Sequence, residues 1–159
     1  MDLKQATTIQ QALLAFCQTR TWINPQAVTL TLRLARWQDG LRTSLTPSDA
    51  QQNLRHFLNV LHKKLGSCGF TKHSVLQRLP IFEGTATVRP HYHMILDRPA
   101  CIDAPRYAEL ILQEWPRTYW GYKLVTVEPC TSADGWLDYI TKLRSKADYA
   151  DAIDWKNFK

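Results

Sequence analysis

The chain has 159 residues, with 20 Lys and Arg against 14 Asp and Glu, a formal charge of +6 and a sequence pI near 9.3. That length fits one domain able to bury a core, and the positive balance points to an anionic partner such as nucleic acid. No apolar run approaches the length of a membrane span and the first residues lack a signal-peptide core, so the expectation is a cytoplasmic protein with no membrane partner.

A helix is predicted around Gln5–Thr19, and Asn24-Pro25 separates it from a strand at Ala27–Leu34. Thr46-Pro47-Ser48-Asp49 opens a second helix, with Pro47 tolerated in the first turn and Ser48 or Asp49 available as its cap. Leu54, Phe57, Leu58 and Leu61 form its apolar face, and Gly66 stops it near Leu65. Arg55, His56, His62, Lys63 and Lys64 on or near this helix read as a solvated face.

Two apolar stretches, Ser74–Glu83 and Val88–Leu96, flank Gly84-Thr85-Ala86-Thr87 and predict a hairpin. Ala104-Pro105 opens a third helix toward Trp115, and Tyr122–Glu128 reads as a further strand. Trp115-Pro116-Arg117-Thr118-Tyr119-Trp120-Gly121-Tyr122-Lys123 interleaves aromatic rings with cations. Such rings more often pack a helix–strand junction; exposed, they would stack unpaired bases at about 1–3 kcal/mol per base.

The second strand of the hairpin carries the most chemistry. His91-Tyr92-His93 places two imidazoles at i and i+2, which on a strand share one face. Imidazole is the commonest protein metal ligand. A turn at Gly84–Thr87 brings Glu83 beside the histidines, giving two nitrogens and one carboxylate for a divalent ion. Asp97 is a weaker substitute, expected on the opposite face. Cys17, Cys68, Cys101 and Cys130 form no Cys-x-x-Cys pair, which argues against a zinc knuckle or a disulfide framework.

The last predicted helix covers Asp134–Lys146, capped by Ser132 or Asp134. Trp136, Ile140 and Leu143 make its core stripe, while Tyr139, Lys142 and Lys146 make a second one. A phenol beside two ammonium groups suits an attack on phosphate, because the cations favour phenolate and hold the phosphate charge. An ordinary basic helix with a half-buried tyrosine is the plain alternative.

Helices interspersed with a few strands favour an α+β layer fold and one domain over residues 1–159, with a core of about 24–147. We find no repeat, no low-complexity tract and no Gly-x-x-x-x-Gly-Lys-[Ser/Thr] phosphate loop.

These pieces, in this order, resemble the HUH endonuclease family, in particular the initiator proteins of rolling-circle replication. The strand Ala27-Val28-Thr29-Leu30-Thr31-Leu32, the pair His91-Tyr92-His93 with Glu83 upstream, and Tyr139-Ile140-Thr141-Lys142 match its three motifs across most of the chain. The resemblance implies a ferredoxin-like domain whose central, mainly antiparallel sheet carries the His-x-His strand between flanking helices. It implies metal-dependent nicking and joining of single-stranded DNA at an origin or hairpin, with magnesium or manganese on Glu83, His91 and His93. Tyr139 would be the nucleophile and Lys142 its partner at the phosphate. Thr29, Thr31, Arg89, Arg98 and Lys146 would contact DNA, and a separate host helicase would be a partner. Met94-Ile95-Leu96-Asp97-Arg98 lacks the third histidine of relaxases, and Lys142 and Leu143 stand where two-tyrosine initiators place a second nucleophile. A single-tyrosine enzyme is therefore expected. A single-tyrosine transposase or mobilisation protein with the same cut, and an inactive nucleic-acid-binding domain, are the alternatives.

Overall fold

The structure is a computed structural model that describes residues 18–84, 88–132 and 152–159, together with Gln11, Ala12, Ala15 and Gly135. The expected N-terminal helix lies mostly outside the described residues, and the expected helix bearing Tyr139, Lys142 and Lys146 lies outside them apart from Gly135.

Among the described residues the order is β1 (Pro25–Leu32), β2 (Ala35–Gln38), β3 (Leu41–Ser44), α1 (Pro47–Leu65), β4 (Arg78–Glu83), β5 (His91–Asp97), α2 (Ala104–Glu114) and β6 (Gly121–Pro129). Four strands form an antiparallel sheet in the order β4-β5-β1-β6, with β1 and β5 at its centre. Among the described residues the fold is thus α+β, with a four-stranded antiparallel sheet and the helices α1 and α2.

Alternation along the strands divides the sheet into two faces. Val28, Leu30 and Leu32 of β1 and Tyr92, Met94 and Leu96 of β5 pack with Leu54, Phe57 and Leu61 of α1 and Tyr107 and Ile111 of α2. This is the main core. The other face carries Glu83, His91 and His93, and beyond them Leu79, Ile81 and Ile95, which pack with Ala152 and Ile153.

The segment from Ala152 to Lys159 straps the β4 edge. Ile153 bridges Ile81, the Asp154 amide donates to the Pro80 carbonyl, and Arg78 and Lys159 exchange backbone bonds. The Tyr92 hydroxyl donates to Asp154, which also accepts from the Asn157 side chain, and Asn157 donates to the Gln51 carbonyl of α1. Burial first, and then the neighbouring Asp154 carboxylate, push the Tyr92 phenol well above its ordinary pKa, so it stays a donor.

Several boundaries differ from those read in the sequence. The cap of α1 is Thr46, not Ser48 or Asp49. Its hydroxyl accepts from the Asp49 amide while the Asp49 carboxylate accepts from the Thr46 amide. β4 begins at Arg78 rather than Ser74, because Thr71 and Ser74 close a turn on themselves. β1 ends at Leu32 rather than Leu34, and the next residues enter a two-stranded ribbon, β2–β3, that the sequence reading did not anticipate. Its turn is Asp39-Gly40, both at positive φ (51° and 76°), as a type I′ hairpin requires.

Asn53 of α1 donates to Thr118 and accepts from the Trp120 amide, and Thr118 in turn donates to the Trp115 carbonyl and accepts from the Gly121 amide. This buried network joins α1 to the start of β6. It leaves no room at Gly121, where a Cβ would lie 1.9 Å from the Trp115 carbonyl oxygen. Gly121→Ala should therefore destabilise the fold by about 1–3 kcal/mol or more, the range for overpacking. Urea unfolding should show the lower midpoint.

Candidate metal centre

The site is built on the register of β4 and β5. Glu83 pairs with His91 and Ile81 with His93, so all four side chains share one face, while Tyr92 turns into the core. The Nε2 atoms of His91 and His93 lie 3.1 Å apart, and Glu83 Oε2 lies 3.7 Å from His91 Nε2. One ligand atom from each of the three residues falls within 4.8 Å of the others.

This spacing fits one ion. Two nitrogens at about 2.0–2.1 Å from a metal are about 2.8–3.4 Å apart when they subtend angles between a right angle and a tetrahedral one. The His91 and Glu83 side chains are only 14% and 20% exposed, so the donors are partly desolvated yet reachable from solvent.

The outer nitrogens are held in the orientation that binding needs. His91 Nδ1 lies 2.8 Å from the Arg89 carbonyl, which only accepts, so Nδ1 donates there and, in the neutral ring, Nε2 keeps its lone pair. His93 Nδ1 lies 3.1 Å from Thr29 Oγ1. When that nitrogen donates to the hydroxyl, the second Nε2 turns a lone pair toward His91 as well. Two lone pairs facing each other at 3.1 Å repel, and a cation or a shared proton between them relieves this. Gly84 follows Glu83 directly, and a Cβ there would meet Pro90 Cα at 3.0 Å. The two strands therefore approach closely where the ligands sit.

A rim of cations and rings borders the site. The Arg89 guanidinium stacks on the Tyr122 ring at 4.4 Å and Arg33 lies at 5.9 Å from the same ring. Arg33 Nε is buried without a hydrogen-bond partner.

The structure brings together Glu83, His91, His93 and Thr29, with Thr31 opposite His91 across β1–β5 and Arg89 beside it. It does not bring Arg98 there. That residue follows the far end of β5, about 17 Å along the strand from His93, and its guanidinium donates to the Ile102 carbonyl. Asp97 shares the His face by even spacing, contrary to expectation. It is removed from the site by its position at the strand end, where it accepts from the Ile23 and Asn24 amides. Tyr139, Lys142 and Lys146 lie outside the described residues. Arg33 is not singled out in the sequence, and Tyr122 only as one ring of the aromatic run Trp115–Lys123. Only the pairing of β1 with β6 reveals them.

Searches of protein-family models, curated proteins and solved structures find no match to this chain. Among the described residues no helix is long and apolar enough to cross a membrane.

The three-donor arrangement predicts measurable divalent-ion binding. His91→Ala should abolish tight Mn2+ binding in calorimetry. Thr29→Val, which keeps the shape but removes the hydroxyl, should weaken it by about 10–100-fold, the usual effect of losing an outer-shell partner. Unchanged circular dichroism should accompany both.

Proposed function

We propose that the protein is a metal-dependent single-strand DNA endonuclease of the HUH kind, which nicks and rejoins DNA in the manner of a rolling-circle replication initiator. The observation that carries this reading is the convergence of Glu83, His91 and His93 on one sheet face, with the histidine strand beside the central β1. Two further features support it. The order β1, α1, β4, β5, α2, β6 is the β-α-β-β-α-β order of ferredoxin-like domains, with β2–β3 as an insertion. The Arg89–Tyr122–Arg33 rim offers cations and a ring to a nucleic-acid strand.

In this reading Glu83, His91 and His93 hold magnesium or manganese, which when bound supplies Lewis acidity at the scissile phosphate. Arg89 positions the adjoining backbone. The Tyr139 oxygen attacks phosphorus, and the bond to the 3′ oxygen breaks. That oxygen takes a proton and leaves as a 3′ hydroxyl, while the 5′ phosphate remains esterified to the tyrosine. The link keeps the phosphodiester's energy and permits rejoining. Lys142, three residues after Tyr139 in the sequence, stabilises the charge that develops.

The test is a covalent adduct. Incubation with Mn2+ and a single strand carrying the origin of the source replicon, followed by denaturation, should yield a protein–DNA species that mass spectrometry maps to Tyr139. Tyr139→Phe should lose the adduct and keep binding, and Lys142→Ala should slow cleavage more than it weakens affinity. An adduct on a different tyrosine, such as Tyr149 ten residues further along the sequence, or cleavage by Tyr139→Phe that leaves free 5′ phosphates, would overturn the assignment. Binding of the same strand in EDTA should also weaken steeply with salt, with a slope in log–log form of about −0.7 per phosphate neutralised.

A further inference from the structure

We infer that Cys68 and Cys101 form a second reactive site, a dithiol that oxidised glutathione and similar small disulfides convert to a disulfide joining the end of α1 to the turn after β5. The inference stands apart from the metal centre and from the endonuclease reading.

The two cysteines come from segments whose backbones are fixed. α1 ends at Leu65, a tight helical turn covers Gly66–Cys68, and Gly69 reverses the chain at a φ of 90°. The Phe70 amide then donates to the Leu65 carbonyl, and the Phe70 ring packs on the main core. Cys101 lies in the turn between β5 and α2. There the Ile102 amide donates to the Pro99 carbonyl and the Arg98 guanidinium to the Ile102 carbonyl. Asp103 then caps α2 by accepting from the Arg106 amide.

The thiols meet between two cavities. One, of about 300 Å³, extends toward Phe70, Leu76 and Arg98, and the other, of about 420 Å³, toward Lys64 and Arg106. Among the described residues only Cys68 and Cys101 line both, so their side chains form the partition. Hydrogen bonding to Cys101, then burial, then the charge of Cys101 push the Cys68 thiol above its ordinary pKa, as a thiol in contact with it does.

Packing accounts for one of the two. Cys68 is half-buried against the main core, as a small apolar side chain would be, but Cys101 is exposed. An accessible thiol beside a sheltered one suits thiol–disulfide exchange, in which the first meets the oxidant and the second resolves the product. The Cys101 thiolate attacks one sulfur of oxidised glutathione and expels the other half as a thiolate, leaving a mixed disulfide. Cys68, as thiolate, attacks the Cys101 sulfur, and the second glutathione leaves. Two protein thiols thus lose two electrons and two protons, and one oxidised glutathione becomes two reduced ones. The Cys68 thiol donates to the Leu65 carbonyl at 3.1 Å, a bond that closure gives up.

The staple closes a loop that contains β4 and β5, and with them Glu83, His91 and His93. Restricting that loop in the unfolded chain stabilises the folded one. The pair lies beyond Asp97, at the other end of β5 from the histidines, so it leaves the ligands open to solvent.

The test maps the bridge and its effect on melting. The whole chain is reduced, freed of reductant and incubated without oxygen in oxidised glutathione. Free thiols are then blocked with N-ethylmaleimide, and the protein is digested with trypsin unreduced. Arg89 and Arg98 precede prolines, where trypsin does not cut, so Cys68 falls in peptide 65–72 and Cys101 in peptide 79–106. Mass spectrometry should find these two peptides joined, and dithiothreitol should part them. The oxidised protein should melt about 5–10 °C above the reduced one, the shift that one disulfide gives a chain of this size. Cys101→Ser and Cys68→Ser should each remove the joined peptides and the redox-dependent shift, and Cys130→Ser should keep both. A glutathione adduct that persists on Cys101 while Cys68 stays free would overturn the inference. So would a bridge to Cys17 or Cys130, a bridge between two copies of the chain, or equal melting of the two states.

Discussion

The two-residue period of β5 is the constraint on which the rest depends. His91 and His93 must face outward for their nitrogens to meet, and the same period drives Tyr92 inward, where it is fully buried. A slip of one residue would reverse all three side chains. The strand is pinned against this by pairing with β1 on one side and β4 on the other. The donors are therefore held by backbone hydrogen bonds that exist whether or not an ion is bound. Such a site is preorganised, and ligands on a rigid element lose little entropy when they bind.

Tyr92 links the histidine strand to the C-terminal strap. Its hydroxyl meets Asp154 inside the molecule, while Ile153 covers Ile81 and Ile95 on the outer face. The outer face is thus divided into an apolar half under the strap and a polar half with the ligands. The strap also occupies the free edge of β4, which would otherwise present unpaired amides and carbonyls. Pro80 in that strand lacks an amide, and its carbonyl serves the strap instead.

Much of this was legible in the residues because it rests on local periods. The spacing of the histidines gave their shared face, and the turn after Glu83 gave the hairpin. The leucines of α1 gave its buried side. What was not legible depends on distant partners. Thr29 meets His93 only because β1 lies beside β5, and Arg33 meets Tyr122 only because β6 lies on the other side of β1. Arg98 is near the histidines in the sequence, but strand length carries it to the far end of the sheet from them. The β2–β3 ribbon is a different case. Asp39-Gly40 is a strong hairpin signal, but the flanking strands have four residues each and bury none, so no alternation of apolar and polar residues marked them. The cap of α1 was misassigned within the right tetrapeptide, since Ser48 and Asp49 are as capable as Thr46 by composition alone.

A Cβ at Gly84 would lie 3.0 Å from Pro90 Cα, so the backbone runs close beside the carboxylate and the imidazoles, although neither residue is a candidate ligand. Pro90 also fixes the chain between the Arg89 carbonyl and the ring that carbonyl orients. The spacing of the three candidate ligands is thereby a matter of backbone approach as much as of side-chain type. A larger residue at position 84 would press on Pro90 without replacing Glu83, His91 or His93. Spacing and donor type are carried by different residues.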